Sequence, residues 1–142
     1  MTGISRFPLS APFAMVAPAP NGVDDTANIQ RLLNEAPAVG AIVVLRRGTY
    51  KVPNGGLVAS QQVTIMGAGG SHPSNAQTLI ECSSTTATVL TIAAHGCRLQ
   101  GFGVRNTATD PLTAGAGIRV NAGNRMSIDD VGVFSFYIGI DV

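Results

Sequence analysis

The sequence predicts an all-β chain: a solenoid of a few stacked coils with a short N-terminal capping α-helix and an extended N-terminal arm. Three observations carry this. Gly117-Ile118-Arg119-Val120 recurs as Gly139-Ile140-Asp141-Val142 about 22 residues later, a period in the range of stacked units that bury their apolar faces only against neighbours. Short apolar runs alternate with Gly, Asn and Ser along most of the chain, the pattern of strands and turns. With 17 Gly, 12% charged and 45% hydrophobic residues, the composition excludes a disordered chain and suits a turn-rich fold. At 142 residues, a single domain is expected.

Residues 1–20 form the predicted arm. The hydrophobic stretch from Phe7 to Ala19 follows Arg6 as a secretion leader would, but Pro8, Pro12, Pro18 and Pro20 interrupt it. An extended segment lying on a neighbouring surface is therefore preferred to a leader. Residues 21–142 make the coils. Asp24 or Asp25 is positioned to cap a helix over about residues 25–36. Ile29, Leu32, Leu33 and Ala36 then form one apolar stripe, with Pro37 and Gly40 closing the helix. Strands are predicted from Ala41 to Leu45, Thr49 to Val52, Gln62 to Met66, Thr78 to Cys82, Val89 to Ala93, Arg98 to Arg105, Gly117 to Val120 and Met126 to Phe136. Pro53-Asn54-Gly55-Gly56 makes a turn.

Stacking these strands aligns like with like. Leu90 and Ile92 fall over Ile118 and Val120, then over Ile140 and Val142; Leu99, Phe102 and Val104 fall over Ile128, Val131 and Val133. A step of about 28 residues from Leu90 to Ile118 is explained by a loop from Asn106 to Ala116. Gly101 and Asp130 share one position in this alignment, where a left-handed corner residue is expected. The last strand has no successor in the sequence. The expectation is that a partner chain, or chain beyond Val142, covers it.

The opening block, Asn-Gly-Val-Asp-Asp-Thr-Ala-Asn-Ile-Gln-Arg-Leu-Leu at 21–33, is followed by Ala-Ile-Val-Val-Leu at 41–45, Arg-Gly-Thr-Tyr-Lys-Val at 47–52 and Val-Thr-Ile-Met-Gly-Ala-Gly at 63–69. This order resembles the N-terminal end of pectate-lyase-like right-handed parallel β-helices. That group includes polysaccharide lyases, polygalacturonase-like hydrolases, and the tailspike and tail-fibre proteins of bacteriophages. The family usually has Pro before its Gly-Thr-Tyr, where this chain has Arg47. The resemblance implies a helix capping the first coil. It does not decide activity, because one scaffold carries both catalytic and adhesive proteins.

Catalysis in such a setting needs two carboxylates flanking the scissile bond, or a base with charge stabilisation. Asp129 and Asp130 are the catalytic candidates, and Ala94-His95-Gly96 resembles the Gly-His-Gly of polygalacturonase-like enzymes. The order of motifs is reversed, however, and consecutive strand residues face opposite sides. A turn role for the aspartates is preferred. His95, Cys97, His72 and Cys82 have no metal-ligand spacing, so neither a metal nor a cofactor is expected. The two cysteines are read as free buried thiols, or as a disulfide if they stack on adjacent coils at the right Cα separation. Gly67-Ala68-Gly69-Gly70 is read as a turn rather than a nucleotide loop. Phe134 and Phe136 are expected to stack in the core, with Tyr137 at a turn. The inserted loop, with Thr107, Thr109, Asp110 and Thr113, is the candidate binding surface.

Net charge is +1, and apart from Arg46-Arg47 the nine basic residues are dispersed, so no nucleic-acid footprint is present. No stretch is long and apolar enough to span a membrane. The functional expectation is a non-catalytic structural or receptor-binding component of a phage tail. It would be located in the virion, homotrimeric, docked to other tail proteins through the arm and in contact with cell-surface polysaccharide. The alternative is the N-terminal part of a secreted polysaccharide lyase or glycoside hydrolase whose active site lies beyond residue 142.

Overall fold

A computed structural model describes residues 14–37, 40–69 and 76–142. Eleven strands and one helix follow in order: β1 Ala14–Val16, α1 Thr26–Glu35, β2 Ala41–Val44, β3 Gly48–Lys51, β4 Leu57–Ala59, β5 Val63–Met66, β6 Thr78–Cys82, β7 Leu90–Ile92, β8 Arg98–Asn106, β9 Ala116–Val120, β10 Ser127–Phe134 and β11 Ile138–Asp141. All the pairings are parallel. One sheet of seven strands runs β1-β2-β5-β8-β6-β3, with β10 also on β8, and a second of four strands runs β11-β9-β7-β4.

Of the registers expected from the sequence, these are present. Leu90 pairs with Ile118 and Ile92 with Val120, and Ile118 pairs with Ile140. Leu99, Phe102 and Val104 pair with Ile128, Val131 and Val133. Further rows complete the core: Tyr50, Ile80 and Val104 are in register, as are Val43, Ile65 and Leu99 and Leu57 with Leu90. Because side chains alternate along a strand, parallel in-register pairing turns a repeated apolar position into a continuous buried row.

The architecture nevertheless corrects the expected all-β solenoid and the right-handed parallel β-helix implied by the resemblance. The chain is of the α/β type, with parallel strands in two sheets and one helix, and no closed solenoid forms among the described residues. The physical reason lies at Gly101 and Asp130. Both take the left-handed conformation anticipated for a corner, at φ 72° and 51°. Yet β8 and β10 run through them, so the corner becomes a kink within one long strand. Asp129 pairs with Gln100 and Val131 with Phe102 on either side of that kink. Rows that a corner would divide between faces thus lie in one seven-stranded sheet.

The helix supplies the remaining wall. Its sequence places Ile29, Leu32 and Leu33 one turn apart, and all three are buried in the common core. Full burial of each contributes about 1.5–3 kcal/mol. Asp24 Oδ1 accepts from the Thr26 N–H at 2.9 Å, which serves the first turn as anticipated, and the Thr26 hydroxyl bond holds its carboxyl below the ordinary value. Asp25 does not cap. Its buried carboxylate accepts instead from the Asn21 N–H and the Lys51 N–H, each at 2.9 Å.

That second bond is one of three devices that close the first strand of each row. On β3, Asp25 takes both exposed groups of Lys51, since its own N–H donates to the Lys51 carbonyl at 2.7 Å. On β4, the Gln30 side chain imitates a strand: its Nε2 donates to the Val58 carbonyl and its Oε1 accepts from the Val58 N–H, each at 2.9 Å. On β2, strand β1 pairs directly. The chain after β1 is then held by Arg46 Nε donating to the Ala17 carbonyl at 2.9 Å, and by the buried Tyr50 hydroxyl donating to the Pro18 carbonyl at 2.9 Å. Residues 14–18 of the predicted arm are therefore built onto the sheet, and residues 1–13 lie outside the described residues.

Candidate functional site

The opposite end of the rows is different. Among the described residues, β10 pairs only with β8 and β11 only with β9. Side chains in positions that are buried in every earlier layer become accessible here. Leu57, Leu90 and Ile118 are at most 1% exposed, but Ile140 in the same row is 41% exposed. Likewise Val43, Ile65 and Leu99 are at most 2% exposed, whereas Ile128 is 39% exposed. Ile138, Tyr137 and Val142 add further exposed apolar surface. The result is an eight-residue strand edge joined to an apolar strip, a surface that proteins normally cover.

A second feature is a charged row on the outer face of the seven-stranded sheet. Lys51, Glu81 and Arg105 each follow an inward apolar residue, namely Tyr50, Ile80 and Val104, and pair side by side in register on β3, β6 and β8. Glu81 Oε1 accepts from Lys51 Nζ at 2.6 Å, and its Oε2 accepts from Arg105 Nη2. The Glu81 side chain is 9% exposed, against 41% for Lys51 and 38% for Arg105. Burial works to raise the Glu81 carboxyl, but the hydrogen bonds from Arg105 and Lys51, with their charges, outweigh it and hold the group below its ordinary value. Phe134 of β10 continues the row beside Arg105.

Phe134 thus departs from the expected aromatic core stack. Ser135 takes φ 62° and breaks the alternation, so that Phe136 packs against the core while Phe134 stays on the outer row. Tyr137 is exposed.

The catalytic candidates lie beside and within the kink of β10. Asp129 is exposed in β10. Asp130 occupies the left-handed kink, its Oδ2 beside Gly69 of the turn below. That turn is stitched to β8 by Gly67 N–H to the Gln100 carbonyl at 2.9 Å and Gly69 N–H to the Gly101 carbonyl at 2.6 Å. Thr107, Thr109, Asp110 and Thr113 are all exposed on the loop between β8 and β9. Two of them are tied down through their backbone, with Thr107 N–H on the Cys82 carbonyl at 2.8 Å and Thr113 N–H on the Thr85 carbonyl at 3.0 Å. Buried Asn106 reinforces the loop by donating to the Ser84 carbonyl at 2.7 Å and accepting from the Ala108 N–H at 2.8 Å.

Cys82 and Cys97 are both buried and free. Burial pushes each thiol up, which disfavours the nucleophilic thiolate. His95 is exposed, and its Nδ1 accepts from the Asn124 N–H at 3.3 Å. Among the described residues there is no metal-holding cluster of His, Cys, Asp or Glu. His72 lies outside those residues. Among the described residues no helix is long and apolar enough to cross a membrane.

The sequence reading missed the charged row, and a signal for it exists: a charged residue follows the same inward position on three successive strands. In comparisons with known proteins, the chain matches no family model, no curated protein and no solved structure.

Proposed function

We propose that the chain is a non-catalytic structural or receptor-binding component of a bacteriophage tail that works as a homotrimer. The observation that carries the structural part is the contrast between the two ends of the rows. Asp25, Gln30 and β1 close the first strands, whereas Ile128, Ile138 and Ile140 sit half open on the last ones. Three copies related by a threefold axis, each laying its β10/β11 edge on the next, cover all three edges in a closed ring. The phage-tail part rests on the resemblance of residues 21–142, most specific in its opening block, to the N-terminal end of a group that includes tailspike and tail-fibre proteins alongside polysaccharide lyases and polygalacturonase-like hydrolases. The N-terminal arm, residues 1–20, is the segment assigned to docking on other virion tail proteins, and the loop bearing Thr107, Thr109, Asp110 and Thr113 is the surface assigned to cell-surface polysaccharide.

The test is solution mass by light scattering over a dilution series, on the natural chain and on Ile140→Asp. A mass about three times 14.5 kDa that falls to one chain in the variant is expected. A natural chain that stays monomeric at every concentration overturns the proposal.

A further inference from the structure

The row Lys51–Glu81–Arg105 differs from the other ion pairs in stoichiometry and exposure. Arg119 and Asp141 balance one to one at 2.9 Å, with side chains about equally exposed. Arg31 and Glu35 form a loose helical pair at 3.7 Å. In the row, two cations share a single carboxylate, leaving one positive charge over. The carboxylate is the buried partner, so solvent meets mainly ammonium and guanidinium groups.

Arg105 is also incompletely satisfied. Its Nη2 is engaged by Glu81, while its Nε is buried and has no hydrogen-bond partner. A guanidinium offers its N–H groups in a fork that matches an oxyanion edge, and the part of this one that solvent reaches lies away from the buried Nε. Glu81 already holds both cations in place, so an incoming anion need not freeze two free side chains. Phe134 beside Arg105 gives the site an apolar flank.

From these features we infer that Lys51 and Arg105, pre-positioned by Glu81, form a binding site for a small oxyanion group, either a planar carboxylate or a tetrahedral sulfate. All three charged residues come from one copy, on β3, β6 and β8. Glu81 is a positioning residue in it, and the two cations make the contacts.

The experiment follows the Nε–Hε resonances of the arginines in the full ¹⁵N-labelled chain. Sodium sulfate is titrated in one arm and sodium acetate in another, at ionic strength held constant with sodium chloride. A saturating shift of the Arg105 resonance is expected, with the exposed Arg98 unmoved. Saturation with sulfate alone assigns a tetrahedral ligand, and saturation with acetate alone a carboxylate. Arg105→Gln strips a partner from buried Glu81 and is a hazard to folding, so Lys51→Gln, which keeps the Arg105–Glu81 bond, is the variant of choice. It is expected to weaken the affinity at least tenfold. Arg105 and Arg98 moving alike and without saturation, or an unchanged affinity in Lys51→Gln, overturns the inference.

Discussion

Tyr50→Phe removes a single oxygen from the centre of the contact that fastens the N-terminal segment to the sheet. The ring is 1% exposed, so the phenylalanine keeps the packing. Two hydrogen bonds are lost: the hydroxyl accepts from the Arg46 N–H at 2.8 Å and donates to the Pro18 carbonyl at 2.9 Å. With a net contribution of about 1 kcal/mol per bond, the loss is about 2 kcal/mol. In a domain of this size it lowers Tm by about 4–8 °C. Urea unfolding followed by circular dichroism should show a lower midpoint at an unchanged slope.

The same residue gives an alkaline signature. Burial raises the Tyr50 phenol above its ordinary value of 10.0, and the Arg46 N–H and charge offset this only in part. The folded state therefore holds this proton more tightly than the unfolded chain. The corresponding stability is fully present below pH 10 and is lost as the pH rises through the raised value. Tyr50→Phe should remove that part of the alkaline loss. A stability change under about 0.5 kcal/mol, together with an unchanged alkaline limb, refutes the assignment of Tyr50 as the clamp.

Gln30→Ala should open the edge of β4. It is expected to cost about 1–2 kcal/mol and to speed hydrogen exchange at the Val58 amide, which the Gln30 side chain holds at 2.9 Å; unchanged exchange at Val58 counts against side-chain capping. Gly101→Ala should destabilise the chain by more than about 1 kcal/mol. Its backbone is at φ 72° and a Cβ there meets the Gly67 carbonyl oxygen at 2.9 Å; a neutral result in urea unfolding refutes the kink geometry. Leu33→Ala, at a residue 1% exposed between helix and sheets, should cost about 2–5 kcal/mol by the same assay, and a loss under about 1 kcal/mol refutes the packing of the helix on this core. Glu81→Gln should flatten the acid limb of stability. The depressed Glu81 carboxyl contributes stability above the ordinary carboxylate range that disappears as the pH falls through its lower folded value, so an unaltered acid limb contradicts the shared ion pair.

The rows were legible in the sequence because their residues repeat in kind. Leu90, Ile118 and Ile140 announce one another, and so do Leu99 with Ile128 and Val104 with Val133. The helical stripe of Ile29, Leu32 and Leu33 was legible from its spacing. The grouping of strands into sheets was not. Gly101 and Asp130 advertise a left-handed residue correctly, but the same φ serves a corner between strands or a kink within one, and only the pairing on both sides distinguishes them.

Strands β1 and β4 escaped for another reason. Each has three residues, too few to show alternation, and β4 is completed by a side chain 28 positions away. Phe134 departs from the expected stack because Ser135 is not a residue that announces φ 62°. The charged row combines Lys51, Glu81 and Arg105 from strands separated by 30 and 24 residues, so it emerges only when the apolar registers are already aligned.

The measurement closest to the proposed function is hydrogen exchange of the β10 and β11 amides that do not donate to β8 or β9, on the natural chain at a concentration where its mass has been determined. The proposal predicts that these amides are protected in the assembled chain and exchange quickly in Ile140→Asp. Rapid exchange along β10 and β11 in the natural trimer contradicts it, because the open edge would then not be where the copies meet.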